Sequence, residues 1–129
     1  MADVSKVITV DWDWKNPDYD GEFRRRLAAL KKMRELGTAP KLREYYKENP
    51  VAFIDDWGST FDPRNAEIGK PTTVPFVLFD RQAEFIDWLV QRWKAREDGL
   101  VEKSRDMGVS WLCVAAGVWM WSFYPGTVV

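Results

Sequence analysis

Apolar residues recur at helical spacing in several separate stretches of this chain, and Gly, Pro and Asn mark the breaks between them. Phe23, Leu27, Leu30 and Met33 follow a period close to one helical turn, which predicts an amphipathic helix over Gly21–Leu36 with its apolar stripe turned inward. Gly37 supplies the stop. A second helix is expected over Pro40–Glu48, because proline suits a first helical position. Asn49-Pro50 breaks it, and Val51–Trp57 reads as a further short helix. Residues 21–57 thus form a small helical unit. Before it, residues 1–20 read as an arm: VITV (Val7–Val10) suits a short strand, and DWDWKNPDYD is acidic, aromatic and turn-rich. Such an arm either docks by its tryptophans or stays mobile.

Residues 58–79 change character. GSTFDPRNAEIGKPTT is rich in turn formers and reads as a linker, with an extended segment over Val74–Phe79 because Pro75 disfavours helix in the residue before it. Asp80 then looks like the N-cap of a strong helix reaching about Glu97. Phe85, Ile86, Leu89, Val90 and Trp93 line one side of it, opposite Arg81, Asp87, Gln91 and Lys94. Leu100–Lys103 reads as a strand. Val109–Tyr124 carries no charge and is short for a membrane span, which needs about 20 residues, so a helix buried on most faces of an α/β core is expected, with no membrane segment. Thr127–Val129 reads as the first residues of a following strand, so the pattern over 80–129 is a βαβ unit that has begun and breaks off.

Composition narrows the chemistry. The 129 residues have a net charge of −1, so the molecule as a whole carries no strong electrostatic preference for nucleic acid or membrane. With no His and one Cys, nucleophilic catalysis through a Ser–His or Cys–His pair, His-ligated metals, disulfides and zinc clusters are all excluded. Cys113, inside the uncharged helix, is expected to be a buried, inert thiol. Eight tryptophans are many for this length, and Trp88, Trp93, Trp111, Trp119 and Trp121 are read as core. No secretory signal opens the chain, which points to a cytoplasmic, reducing setting. What remains for chemistry is carboxylates, hydroxyls, Lys/Arg and backbone amides.

The stretch LVEKSRDMGVSW (Leu100–Trp111) concentrates those groups: a short strand, a tight polar loop, then the start of a helix. That is the layout of a phosphate-binding loop, G-x-x-x-x-G-K-S/T, in which loop amides and a helix N-terminus hold phosphates while the hydroxyl reaches Mg²⁺. Aligned on Gly108 and Ser110, Val109 stands where the lysine belongs and Lys103 where the first glycine belongs. Lys103 and Arg105 keep positive charge at the other end of the loop. The fold class expected is therefore α/β, a helical N-terminal unit followed by the start of a P-loop NTPase core, truncated after the first helix beyond the loop. A strand–turn–helix with a glycine is also common in α/β proteins of many functions.

SRDMGVSW, the glutamine upstream in FVLFDRQAEFIDWL, and AFIDDWGSTFDPR (Ala52–Arg64) together resemble the N-terminal part of a tailed-phage terminase large subunit, the ATPase and nuclease that packages viral DNA. The likeness spans roughly Ala52 to Val129. Several members have a deviant S-R-x-x-G-x-S/T loop, as here. The resemblance implies that Gln82 reads adenine, that Ser104, Arg105, Asp106, Met107 and Gly108, continuing into Val109, wrap the phosphates of ATP, and that Ser110 coordinates Mg²⁺. Lys103 or Arg105 would supply the displaced cation. It further implies double-stranded viral DNA, a portal protein and a small terminase subunit as partners, a homo-oligomeric ring, and the host cytoplasm as location. No catalytic residue of the family falls in the chain: an apolar strand ending in Asp-Glu and the nuclease aspartates are not found, so no ATP turnover is expected from these residues alone. The alternative is a non-catalytic module that binds the small subunit or portal.

One further feature bears on partners. Between Gly21 and Asn49 there are nine Lys/Arg against four Asp/Glu, and Arg24, Arg25, Arg26, Lys31 and Lys32 form a basic face open to DNA or a protein partner. Charge runs on helices are more often a solvated face.

Overall fold

Asp18 starts the first helix: its side chain accepts the Gly21 amide N–H at 2.9 Å, and α1 runs over Tyr19–Leu36. Gly37 ends it in the left-handed conformation. The computed structural model describes residues 12–105 and 108–128. In chain order α1 is followed by α2 (Ala39–Glu48), α3 (Pro50–Trp57), β1 (Ser59–Phe61), α4 (Arg64–Glu67), β2 (Thr73–Pro75), α5 (Asp80–Ala95) and α6 (Val109–Phe123). The result is a helix-rich mixed α/β fold whose only sheet among the described residues is the antiparallel pair β1–β2. Val7–Val10 and the second expected strand's last residue, Val129, lie outside the described residues.

The turn-rich stretch is a folded hairpin. Ser59 pairs with Pro75, Thr60 with Val74 and Phe61 with Thr73. The ladder continues through the Phe76 N–H to the Gly58 carbonyl at 2.8 Å, and α4 fills the connection. Val74 through Leu78 are buried, so the expected extended segment is present and forms one wall of the core.

α3, α5 and α6 pack together around Ile54, Ile86, Val90, Leu112, Ala116 and Trp119. Trp119 is the hub: it is fully buried, and its indole N–H donates to the Tyr46 carbonyl at 2.8 Å, tying α6 to α2. Arg43 of α2 secures the same seam by donating to the Ser122 carbonyl at 2.6 Å and covering the Phe123 ring. In the described part of the arm, Trp14 packs on Phe79 with ring centroids 4.1 Å apart, at the entry to α5.

Several expectations are corrected. Leu100–Lys103 is not a strand. Leu100 is 94% exposed and no backbone ladder forms there, because a parallel strand needs a neighbour and none is present among the described residues. Thr127 and Val128 form no strand either. No βαβ unit is therefore formed among the described residues. Asp80 is the first residue of α5 rather than its cap, a position that Phe79 holds. α6 buries one face only: Trp111, Val114, Val118 and Trp121 form an exposed apolar stripe, and Cys113 is exposed beside it. Of the five tryptophans expected in the core, only Trp119 is fully buried; Trp93, Trp111 and Trp121 are exposed and Trp88 half-buried. No described helix is long and apolar enough to cross a membrane.

α1 departs from its pattern most. Its buried residues are Glu22 and Arg26, while Leu27 and Leu30 face out. Arg26 Nε donates to Glu22 Oε1 at 3.2 Å, Nη1 to the Gly58 carbonyl at 2.7 Å, and Nη2 to the Asp55 carbonyl at 3.1 Å. The guanidinium thus adds donors to carbonyls at the C-terminal end of α3, where a helix end leaves acceptors exposed, and Gly58 shares its carbonyl between Arg26 and the Phe76 N–H. Burial lowers its pKa, with Glu22 opposing that shift.

Asp56 is a second buried carboxyl. Tyr46 Oη donates to its Oδ2 at 2.8 Å, while Oδ1 is buried without a hydrogen-bond partner among the described residues. Burial pushes its pKa up to about 7, against the Tyr46 hydroxyl and aided by the charge of Asp55. The folded protein therefore holds this proton more tightly than the unfolded chain does. Stability present below the ordinary carboxyl range is lost as pH rises to about 7. The loss is expected to be roughly 3 to 4 kcal/mol between pH 4 and pH 8. Urea unfolding across that range should show the slope, and Asp56→Asn should remove most of it; an unaltered slope in the variant would assign the proton elsewhere.

Candidate phosphate-binding loop

Two helix N-termini meet at the site. Gly108 precedes α6 with φ +75°, the left-handed region that favours glycine, and its carbonyl accepts the Leu112 N–H at 3.0 Å. No side chain caps α6 there. The amides of Val109, Ser110 and Trp111 occupy the first turn, where no intrahelical acceptor exists, and they bond to no described residue. They leave a cluster of oriented N–H groups with the positive end of the helix dipole behind them.

Gln82 closes the site from α5. Its Oε1 accepts the Phe79 N–H at 3.0 Å, which fixes the amide over the first turn of α5. Its Nε2 then lies against Gly108: a Cβ on that glycine would sit 3.2 Å from it. A hydrogen at this position lets amide and backbone approach, and a Cβ there would press on the Gln82 amide as well as adopt an unfavourable φ. Trp14, on Phe79, stands beside the same helix start.

Of the residues named from the sequence, the fold brings Gln82, Gly108, Val109 and Ser110 together. Ser110 is exposed in the first turn of α6, with its hydroxyl uncommitted to any described residue. Lys103, Ser104 and Arg105 lie on the exposed connection before the glycine, where Lys103 Nζ donates, among the described residues, to the adjacent Ser104 carbonyl at 3.4 Å. Arg105 makes no ion pair with Glu102 or any other described residue. Asp106 and Met107 lie outside the described residues.

The basic set on α1 divides. Arg24, Lys31 and Lys32 are exposed. Arg25 bonds Glu22 Oε2 through Nε at 3.2 Å and Nη2 at 3.0 Å. Arg26 is withdrawn into the core contact described above, so its expected place on a DNA-facing surface is corrected. The sequence gives no sign of this, because the two carbonyls that hold the guanidinium lie 29 and 32 residues away in the chain.

The donor set suits phosphate: uncommitted first-turn amides, a glycine that admits close approach, and two mobile-stemmed cations on the same connection. For Mg²⁺ the described residues offer the Ser110 hydroxyl, and no cluster of three or more His, Cys, Asp or Glu that could hold a metal unaided occurs among them. The protein would therefore share the ion with phosphate oxygens and water, as is usual for Mg²⁺.

No family model matches the chain, and no curated protein or solved structure is significantly similar to it.

Proposed function

We propose that this chain carries the adenine- and phosphate-binding part of an ATPase of the terminase large-subunit type, a motor for packaging double-stranded viral DNA. The observation that carries the reading is the contact between the Gln82 amide and Gly108 at the open N-terminus of α6. A glutamine held by its own helix start, packed on a left-handed glycine that opens a second helix, suits a ligand with an amide-reading base at one end and phosphates at the other. Val109–Trp111 N–H groups and Gly108 would hold the phosphates, Ser110 would share Mg²⁺, and Lys103 or Arg105 would neutralise phosphate charge. ATP with Mg²⁺ supplies the transferable phosphoryl group; the residues here bind and orient it. In a P-loop core the helix after the loop packs on a central sheet, and the stripe Trp111, Val114, Val118 and Trp121 is the face such a sheet would cover. Portal protein, small subunit, ring assembly and the host cytoplasm belong to the same proposal.

Calorimetric titration with Mg-ATP tests the cation assignment. Lys103→Ala or Arg105→Ala, whichever removes the phosphate-facing charge, should weaken binding about tenfold, the value of one charge-assisted contact. ATP turnover by the purified chain should stay undetectable, since the resemblance puts the water-orienting carboxylate on a strand ending in Asp-Glu beyond the loop helix, which this sequence does not contain. Full affinity in both variants, or robust Mg²⁺-dependent turnover, would contradict the assignment.

The second reading, a non-catalytic interaction module, is favoured by a specific observation: α6 and the groove of about 220 Å³ beside it expose Trp111, Val114 and Val118 next to Phe53 and Trp57. It predicts no nucleotide affinity at all.

A further inference from the structure

The apolar and buried faces of α1 do not coincide. At about 100° per residue, Phe23, Leu27 and Leu30 share one arc of the helix, while Glu22, Arg26 and Met33 share an arc rotated from it by most of a quadrant. The body of the protein takes the second arc. Leu27 is left 67% and Leu30 46% exposed, with Phe23 half-buried at their edge. The helix cannot roll to hide them, because Arg26 is held by Glu22 and by the carbonyls of Asp55 and Gly58.

The border of this patch is charged with one sign. Arg24 and Lys31 flank Leu27 one turn before and after it, and Arg34 follows Leu30 by one turn. All three are exposed, as is Lys32, and none of the four forms an ion pair with a described residue. The exposed acids on the helix are Asp20 and Glu35. Uncommitted cations around exposed leucines are electrostatically complementary to a partner that brings carboxylates around its own apolar residues.

We propose that the Leu27–Leu30 patch, edged by Arg24, Lys31 and Arg34, is a docking surface for an acidic amphipathic helix of another protein. The proposal is independent of the nucleotide reading. Duplex DNA fits less well, because phosphate contacts are made by cations and would leave two leucines facing the backbone. A membrane surface fits less well, because interfacial helices present a broad apolar face with aromatic anchors, and among the described residues of this patch Leu27 and Leu30 alone stand clear, with Leu36 exposed on another side of the helix. A helix partner uses both features: leucines at helical spacing for burial, carboxylates for register.

The test uses the whole chain and a fluorescein-labelled 18-residue peptide with leucines at positions i, i+3, i+4 and i+7 and glutamates beside them, read by anisotropy. The same peptide with lysines for glutamates, a 20-base-pair duplex and vesicles of mixed neutral and anionic phospholipid serve as competitors. Preferential binding of the acidic peptide is expected, weakened at least tenfold by Leu27→Asp with Leu30→Asp. Because both leucines are exposed, that variant should keep its wild-type circular dichroism. Arg24→Glu with Lys31→Glu should reverse the preference toward the lysine peptide. The proposal is overturned by no preference between the two peptides. It is also overturned if the duplex or vesicles bind instead, dependent on Arg24 and Lys31 but indifferent to Leu27 and Leu30, or if those leucines prove to mediate self-association.

Discussion

Replacing Arg26 by leucine is expected to destabilise the protein by about 3 to 5 kcal/mol, a large share of the total for a domain of this size. The side chain does three things at once. It neutralises Glu22, which has no exposure to solvent, and it donates to the carbonyls of Asp55 and Gly58 at the end of α3. Leucine supplies neither charge nor donors, so Glu22 loses its Arg26 partner and the Asp55 and Gly58 carbonyls each lose the guanidinium's hydrogen bond, Gly58 keeping the one from the Phe76 N–H. Removing one member of a buried ion pair is far costlier than removing both. Glu22→Leu combined with Arg26→Leu should therefore recover a substantial part of the loss. Urea unfolding of the two variants separates these effects; a loss within about 1 kcal/mol for Arg26→Leu would mean that the interaction is largely solvent-screened.

Trp119→Ala is expected to be comparably severe, at about 3 to 5 kcal/mol. The ring is fully buried and lies edge-on to Trp93 at 6.2 Å, with Tyr124 at 5.3 Å and Phe123 at 6.4 Å from it. Its indole N–H is also the donor for the Tyr46 carbonyl. Truncation opens a cavity where α2, α5 and α6 meet and removes the indole donor from that carbonyl, which keeps the Asn49 N–H. Trp119→Phe separates the two contributions: it keeps most of the volume, loses the donor, and should cost about 1 to 3 kcal/mol. Trp121→Ala, on the exposed side of the same helix, should change stability by well under 1 kcal/mol. Equal effects at Trp119 and Trp121 in thermal unfolding would show that the buried face of α6 has been misassigned.

The contrast between those tryptophans shows what the sequence conveys. Helix positions are legible because their signals are local. Gly37, Pro40 and Asn49-Pro50 fall at the observed ends, and α1, α2, α3 and α6 lie within a residue or two of their expected bounds. Which face is buried is less legible. α6 is apolar all round, so its periodicity does not distinguish Trp119 from Trp121, and the distinction comes from α2 and α5 packing on one side. In α1 the apolar stripe misleads, because a single arginine with partners far away in the chain sets the helix rotation. The short strands were hidden in a segment rich in turn residues, whereas Leu100–Lys103 had strand composition without a neighbour to pair with.

The site was legible in part for the same reason. Gly108 before an apolar helix is a local signal, and its left-handed conformation agrees with it. That Gln82 lies against this glycine depends on how α5 packs against α6, which no spacing rule supplies; the resemblance gave each residue a separate role and said nothing of their contact. Lys103 and Arg105 carry no comparable geometric support.

The most direct test of the nucleotide reading is a calorimetric titration of Mg-ATP into the wild-type chain and into Gly108→Trp, with circular dichroism to verify that α6 is intact in the variant. The account predicts saturable binding to the wild type and none to the variant, because an indole at Gly108 would fill the approach to the Val109–Trp111 amides and displace Gln82. Equal affinity in the two proteins, or no binding by the wild type, would contradict it.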